Sequence, residues 1–373
     1  MESQLEGHAE EEVVVASQWQ LIRWRFVRHK LAVVAGVVIL GLYVLAIFPQ
    51  FFAPYAAEDR DFRNAFMPPQ RIHFFSEEGF SLQPFVYGIN KDVDFVTTRT
   101  IYTEDTSQRF PVDFFVRGGE PYQLLGFIET DIRLFGVDPE ATVYLMGTDS
   151  VGRDVFSQII HGARISLFLG LMAVLLSLTL GVVIGGISGY FGGKVDNVIQ
   201  RLIEIIWAFP SLALWMALTA ALPRTWSQTQ VYFALVVILS LISWTTLARE
   251  VRGKMLSLRE EDFIMTARLN GNSTPRLLRV HMVSSFTSHI IASLTLAIPG
   301  IILAETALSF LGIGLARPTV SWGVLLQQAQ KVEALTVAWW LFLPGAVLVI
   351  TVLAFNFLGD GLRDAADPYS ALD

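Results

Sequence analysis

Apolar residues in this chain gather into long runs. They do not alternate as in a strand or recur at the period of an amphipathic helix. Six runs stand out, at residues 31–52, 165–189, 203–222, 231–248, 286–306 and 337–358. Each is close to the roughly 20 residues a helix needs to cross the hydrocarbon core of a bilayer. In lipid a spanning segment must satisfy its backbone internally, which a helix does. The pattern therefore predicts an all-α polytopic membrane protein with six transmembrane helices. Gly181, Gly185 and Gly189 recur at intervals of four, a spacing that lets two membrane helices approach closely. Pro210, Pro299–Gly300 and Pro344–Gly345 each predict a kink in their span.

Two polar segments interrupt the runs. Residues 53–160 are rich in Phe, Tyr, Asp and Pro, and the alternation in 94–104 and 111–119 predicts short strands. A segment of this length is long for a featureless loop, so it is expected to form a mixed insert with structure of its own. It is either a passive cover or a cap that contacts substrate or a partner, and both readings stay open. The second segment, 249–285, is basic and well punctuated. Ser257 followed by Glu260 reads as a capping box, with a helix from there to Asn270. Gly271 supplies the left-handed residue that closes it. Thr274 and Pro275 then offer a fresh N-cap and first-turn residue for a second short helix toward His281. A helix–Gly–helix hairpin of this kind suggests a docking surface.

Composition agrees with the membrane assignment: 53% of residues are hydrophobic and the mean hydropathy is +0.50. The net charge of -7 does not oppose it, because orientation follows Lys and Arg in short loops. Arg23, Arg25, Arg28 and Lys30 precede the first run and put the N-terminus in the cytoplasm. Counting crossings puts Lys194 and Arg201, the 249–285 hairpin and the tail with Arg363 on the same side. Much of the acid lies in the N-terminal tail, at Glu2, Glu6, Glu10, Glu11 and Glu12, and in the insert. The first run exceeds the roughly 7–15 residues of a secretory h-region, which favours an uncleaved anchor. There is no cysteine, so disulfides and thiolate chemistry are excluded. Three parts result: a tail and first anchor (1–52), an extracytoplasmic insert (53–160) and a five-helix core with the cytoplasmic hairpin (161–373).

Enzyme signatures are absent. The Phe191–Gly192–Gly193–Lys194 stretch hints at a phosphate loop, but Ser188 occupies the first Gly position and Val195 the Ser/Thr position. There is no His-Glu-x-x-His helix, and His161, His281 and His289 are scattered. No catalytic residue, metal, cofactor or nucleic acid is implied. Ionisable groups inside spans mark pathways or helix ends that reach water. Glu204, with Arg201 one turn back, and Glu305 are the pathway candidates, and the helix-end reading stands beside each.

Several stretches resemble the C-type permease subunits of dipeptide and oligopeptide ABC importers. They are Met146–Ser157 with Gly162–Leu167, then Gly189–Gly193 with Asp196 and Ala208–Phe209–Pro210. Further on come Glu305–Gly312 with Ser321–Trp322–Gly323, then Asn356–Asp364 followed by Asp367–Pro368. The resemblance covers residues 20–52 and 145–369. It implies a type I importer core whose 249–285 loop carries the EAA motif, the element that couples to the ATPase. On that pattern Phe263, Thr266, Ala267, Gly271, Arg276 and His281 are the coupling residues. Met265–Thr266, Asn270 and Ser284 depart from the family's usual residues. Phe263 and Ala267, one turn apart, are expected to present a bulky knob beside a small residue on one docking face. The implied partners are a second permease subunit, two ATP-binding subunits or domains, and an extracytoplasmic solute-binding protein. The implied location is a bacterial or archaeal plasma membrane, with both termini cytoplasmic. Peptides are the expected cargo. The same architecture carrying oligosaccharides, opines or nickel chelates is the alternative. A secondary transporter would show internal repeats, which the chain lacks, and a one-span receptor would leave five runs unexplained.

Overall fold

The computed structural model describes residues 18–76, 79–94, 99–117, 121–124, 127–138, 141–331 and 336–366. The acidic positions Glu2 to Glu12, part of each alternating stretch and Asp367–Pro368 lie outside the described residues. The chain is mostly helical. Its principal helices are α1 (Gln18–Arg28), α2 (Lys30–Ile47), α3 (Val155–Phe191), α4 (Gly193–Trp207), α5 (Ser211–Ala220), α6 (Gln228–Leu258), α7 (Asp262–Leu269), α8 (Thr287–Phe310), α9 (Trp322–Gln328) and α10 (Leu343–Ala366). Among the described residues five helical segments are long and apolar enough to cross a membrane: α2, α3, α6, α8 and Trp339–Ala366. The number rises to six if α4 and α5 are counted as one broken span, bent by 83°.

That break falls at Pro210, where a kink in the 203–222 run was expected. Pro210 cannot donate to the ladder and clashes with the preceding turn. Here it is the N-cap of α5 and ends α4 outright. The other two prolines behave differently. Pro299 sits inside α8, and Pro344 occupies the first turn of α10, where a missing N–H costs nothing. Pro344 therefore starts α10 rather than interrupting it.

Two compact units divide the chain. The first comprises Met1–Leu40, Leu169–Glu305 and Ile350–Asp373. It is built on close packing of α3 against α6, and the glycines are the reason. A Cβ at Gly185 would lie 2.4 Å from the Ala248 carbonyl oxygen, and one at Gly189 would lie 2.7 Å from that of Arg252. At Gly181 the nearest atom, 2.9 Å away, belongs to the Leu247 side chain. Gly192 and Gly193 then take positive φ and turn the chain from α3 into α4. Asp196, in the first turn of α4, fixes that turn to α6. It accepts hydrogen bonds from Arg252 on both carboxylate oxygens and from Ser188 Oγ at 2.6 Å. The suggestive Phe191–Lys194 stretch is thus a helix–helix corner.

The second unit, Gly41–Phe168 with Thr306–Val349, holds the strands. β1 (His73–Ser76), β2 (Gly79–Asp94) and β3 (Arg99–Pro111) form an antiparallel sheet in the order β1-β2-β3. β4 (Asp113–Val116) pairs with β7 (Arg133–Gly136), and β5 (Tyr122–Leu124) with β6 (Ile128–Thr130). Val86, Val112 and Val143 make the small core beneath them. A second core gathers Val155, Ile159, Val320, Leu325, Trp340 and Leu341.

Polar groups lock this second core. Asp149 is buried and accepts from the backbone of Val151 and Arg153, from Arg153 Nε at 2.9 Å and from Gln158 Nε2 at 3.4 Å. Arg317 Nη2 approaches the same carboxylate at 3.5 Å and donates to Gln158 Oε1 at 2.8 Å. With its amide oriented by its neighbours, Gln328 donates to Asp149 and accepts from Arg317. Trp322 and Trp340 donate their indole N–H groups to the carbonyls of Ile159 and Thr148. The stretches around 146–166 and 317–328, far apart in sequence, therefore meet through buried hydrogen bonds.

Candidate functional site

The hairpin between α6 and α8 is the candidate site, and its local structure differs from the expected one in a telling way. Ser257 and Glu260 form no capping box, because α6 runs on through Leu258. The apolar stripe Leu247, Val251 and Met255 keeps that helix packed to its end, so there is no chain break for a cap to serve. The capping box is at the other end of α6, where Ser227 and Gln230 satisfy each other's backbone N–H groups. After a turn at Arg259–Glu261, α7 covers only eight residues, with Glu261 as its N-cap residue.

Gly271 does what its residue type predicts. Its φ is +76°, its N–H bonds the Arg268 carbonyl, and the Asn272 N–H bonds the Ala267 carbonyl. This paired closure satisfies the orphan carbonyls of the last turn. The Asn272 side chain adds a further hydrogen bond to Ala267 O at 2.8 Å. The second helical piece starts one residue earlier than expected: Ser273 is its N-cap and Thr274 its first residue. It continues past Arg276 as a wider π-type turn over Leu277–Val283 that contains His281.

Burial sorts the hairpin into an inner and an outer face. Ile264 and Ala267 point inward, into a cluster with Val251, Met255, Leu277, Met282 and Phe286. Ala267 is only 7% exposed, so it does not share an outer docking face with Phe263. The reason is helical geometry: positions 264 and 267, three apart, form the inner stripe that holds so short a helix in place. The outer surface carries Phe263, Met265, Thr266 and Leu269, with Leu269 87% exposed. Gly271 and Arg276 are also exposed, and His281 is half-buried. Arg268 leaves this face to lie over the Tyr190 ring, 5.6 Å from its centroid, which ties α7 to the end of α3.

Met265 and Leu269 were not among the residues expected to couple. The signal that finds them is the inner pair Ile264 and Ala267, which assigns the opposite side of the helix to solvent. Three exposed apolar side chains on a short, firmly seated helix are costly in water and apt for burial against another protein.

The two acidic candidates separate cleanly. Glu204 pairs with Arg201 at 2.8 Å on an exposed surface of α4. Glu305, in contrast, is fully buried in α8, so the helix-end reading fails for it. The hairpin and the two glutamates occupy distinct places, and among the described residues no group of His, Cys, Asp or Glu could hold a metal ion.

Comparison with known proteins gives this architecture its family. Residues 181–369 match the model for the binding-protein-dependent transport system inner membrane component, and residues 17–69 match the N-terminal TM domain of oligopeptide transport permease C. The chain is 38% identical to the oligopeptide transport system permease protein OppC of Bacillus subtilis over 231 residues, 62% of this chain and 73% of that one. It is 37% identical to the dipeptide transport system permease protein DppC of the same organism, over 62% of this chain and 70% of the relative. The di/tripeptide transport system permease protein DppC of Pseudomonas aeruginosa is 37% identical over 60% of this chain and 72% of its own length. With its long apolar helices, its α6–α8 hairpin and a family match over half its length, the chain belongs to the binding-protein-dependent transport system inner membrane components.

Proposed function

We propose that this chain is a membrane-spanning permease subunit of an ATP-driven, binding-protein-dependent importer of peptides. It would form half of the pathway beside a second permease subunit. Two ATP-binding subunits or domains would supply the energy, and an extracytoplasmic binding protein would deliver the cargo. The observation that carries the reading is the hairpin: an eight-residue helix anchored by Ile264 and Ala267, with Phe263, Met265 and Leu269 left exposed. On this reading α7 is the coupling helix and Thr266, Gly271, Arg276 and His281 shape its surroundings. Because α7 packs on the end of α6, a push from an ATPase would be passed directly to a long helix. Both states of the pathway must then lie within a few kcal/mol of each other.

Peptide cargo is supported by the relatives, which are oligopeptide, dipeptide and di/tripeptide permeases. On the same reading the bent α4–α5 pair is one broken span, giving six in all. Both termini and the hairpin then face the cytoplasm, and residues 53–160 face outward. Buried Glu305 remains a pathway candidate and Glu204 a surface group.

Leu269→Glu tests the coupling role. The position is almost fully exposed, so the substitution should leave insertion and yield unchanged. A carboxylate placed in an apolar docking contact should lower peptide uptake and transport-stimulated ATP hydrolysis about tenfold or more. Uptake at the wild-type rate, measured in vesicles with equal amounts of each protein, would remove α7 from the coupling path.

A further inference from the structure

The second unit contains a cavity of about 450 Å³ that the transport reading does not use. It opens among the Pro54–Asp61 segment, the β4–β7 ribbon and the turn before α3. Its lining carries both signs of charge. Asp59, Asp61, Asp138 and Asp154 supply carboxylates, and Arg60, Arg117 and Arg133 supply guanidiniums. Tyr55, Phe135 and Tyr144 add aromatic surface. A pocket of this size, part apolar with a few charged groups, is of the kind that holds a small molecule.

Among the described residues, two lining groups keep an atom without a hydrogen-bond partner. Asp154 is only 4% exposed. Its Oδ2 accepts from the Ser157 N–H at 2.8 Å and from Ser157 Oγ at 2.6 Å, whereas its Oδ1 makes no hydrogen bond among the described residues. The buried Nε of Arg133 is likewise without a hydrogen-bond partner, although its Nη1 donates to the Pro54 carbonyl. Buried polar groups are normally satisfied, so each of these two atoms is a cost, and both belong to residues that line the cavity. Burial pushes the Asp154 carboxyl up to about 7, against the opposing pull of its hydrogen bonds from Ser157 and of the Phe156 N–H. A cation beside it would relieve that cost.

The ribbon explains how the guanidiniums come together. Val116 pairs with Arg133 across β4 and β7, so Arg117, the next residue along, lies at the same end as Arg133. The rest of the lining is held firmly. Asp61 caps the turn at Arg63 and bonds Asn64, and the Tyr55 hydroxyl accepts from Val143 N–H at 2.9 Å. Gly152 permits this closeness, since a Cβ there would overlap the Asp61 carbonyl.

We propose that this cavity is a binding site for a small zwitterion, an amino acid or short peptide, with its ammonium at Asp154 and its carboxylate at Arg133 and Arg117. The free ends of a peptide carry these two charges. Blocking them removes both charges that would pair with Asp154, Arg133 and Arg117.

The test is equilibrium dialysis of radiolabelled alanyl-alanine against the purified full-length chain in lipid nanodiscs, with no ATPase or binding protein present. The expected result is saturable binding that each of Asp154→Asn, Arg133→Gln and Arg117→Gln weakens about tenfold. Unlabelled alanyl-alanine should compete, and N-acetyl-alanyl-alanine amide should not. Asn keeps the capping geometry at 154, and Arg117 is exposed, so neither substitution threatens the fold. Absence of saturable binding to the wild type would overturn the proposal. So would binding at the wild-type affinity by the three variants, or competition by the blocked peptide equal to that of alanyl-alanine. The site does not depend on the coupling role of α7: Leu269→Glu should leave this binding intact, so failure of either reading is seen separately.

Discussion

Gly185→Val is expected to abolish accumulation of folded protein in the membrane. At Gly185 an added Cβ meets backbone: the Ala248 carbonyl oxygen at 2.4 Å and its Cα at 2.8 Å. A flexible side chain could swing aside, but a helix backbone cannot move without taking its neighbours along. Overpacking that side chains can absorb costs about 1–3 kcal/mol. Here α3 and α6 must separate, and the close approaches at Gly181 and Gly189 are lost with them. The penalty should exceed that range and compete with the whole stability of a typical domain, about 5–15 kcal/mol. Gly186→Ala is the control, because among the described residues its Cβ would meet just the end of the Met255 side chain, at an ordinary 3.7 Å. Fluorescence-detected size exclusion of tagged protein should show a monodisperse peak for Gly186→Ala and none for Gly185→Val. A wild-type peak for Gly185→Val would mean that α3 and α6 are not in backbone contact.

Asp149→Ala should produce the second largest loss, in the other unit. Asp149 is 1% exposed and is the carboxylate that Arg153 and Arg317 share. Removing it leaves two guanidiniums facing one another, one of them nearly buried, and orphans the backbone N–H groups of Val151 and Arg153. Breaking a buried pair in this way costs about 3–5 kcal/mol. The apparent melting temperature should fall on the order of 10 °C. Asp149→Asn, which keeps one acceptor oxygen, should fall less. A melting curve superimposable on the wild type would show that Arg153 and Arg317 do not need this carboxylate.

The bilayer-length helices were legible because hydrophobic run length is a direct consequence of membrane thickness, and five of the six runs contain a long helix. The glycine spacing was legible too, but not its partner. That Gly185 faces Ala248 is a tertiary fact, and nothing in the local sequence specifies it. Local propensity misplaced the cap at Ser257. A Ser followed three residues later by Glu is a sound N-terminal signal, yet Val251 and Met255 reward continuing α6, and tertiary burial outweighs one cap. The same competition turned Ala267 inward. Motif matching finds the residue but not its orientation, which follows from the inner stripe that Ile264 and Ala267 form together. The Asp149 network was hidden for a different reason. Arg317 is separated from Asp149 by most of the helical core in sequence, and an Arg between apolar runs reads as a solvated loop residue.

Glu305 and the charged cavity show what a charge inventory alone cannot. Glu204 and Glu305 look alike in sequence, each an acid near the end of an apolar run. Only burial tells them apart. Asp154 likewise lies in a stretch that resembled its family, and its Oδ1 is unfinished only when seen among the surrounding residues.

The central claim is that α7 seats on an ATP-binding partner. The chain has no cysteine, so a single thiol can be placed without background. Leu269→Cys, carrying a thiol-directed photocross-linker in membranes that contain the complete transporter, should yield an adduct with the ATP-binding subunit. Leu82→Cys, on the exposed face of β2, should yield none. An adduct from position 82, or no adduct from position 269 in an active transporter, would contradict the account.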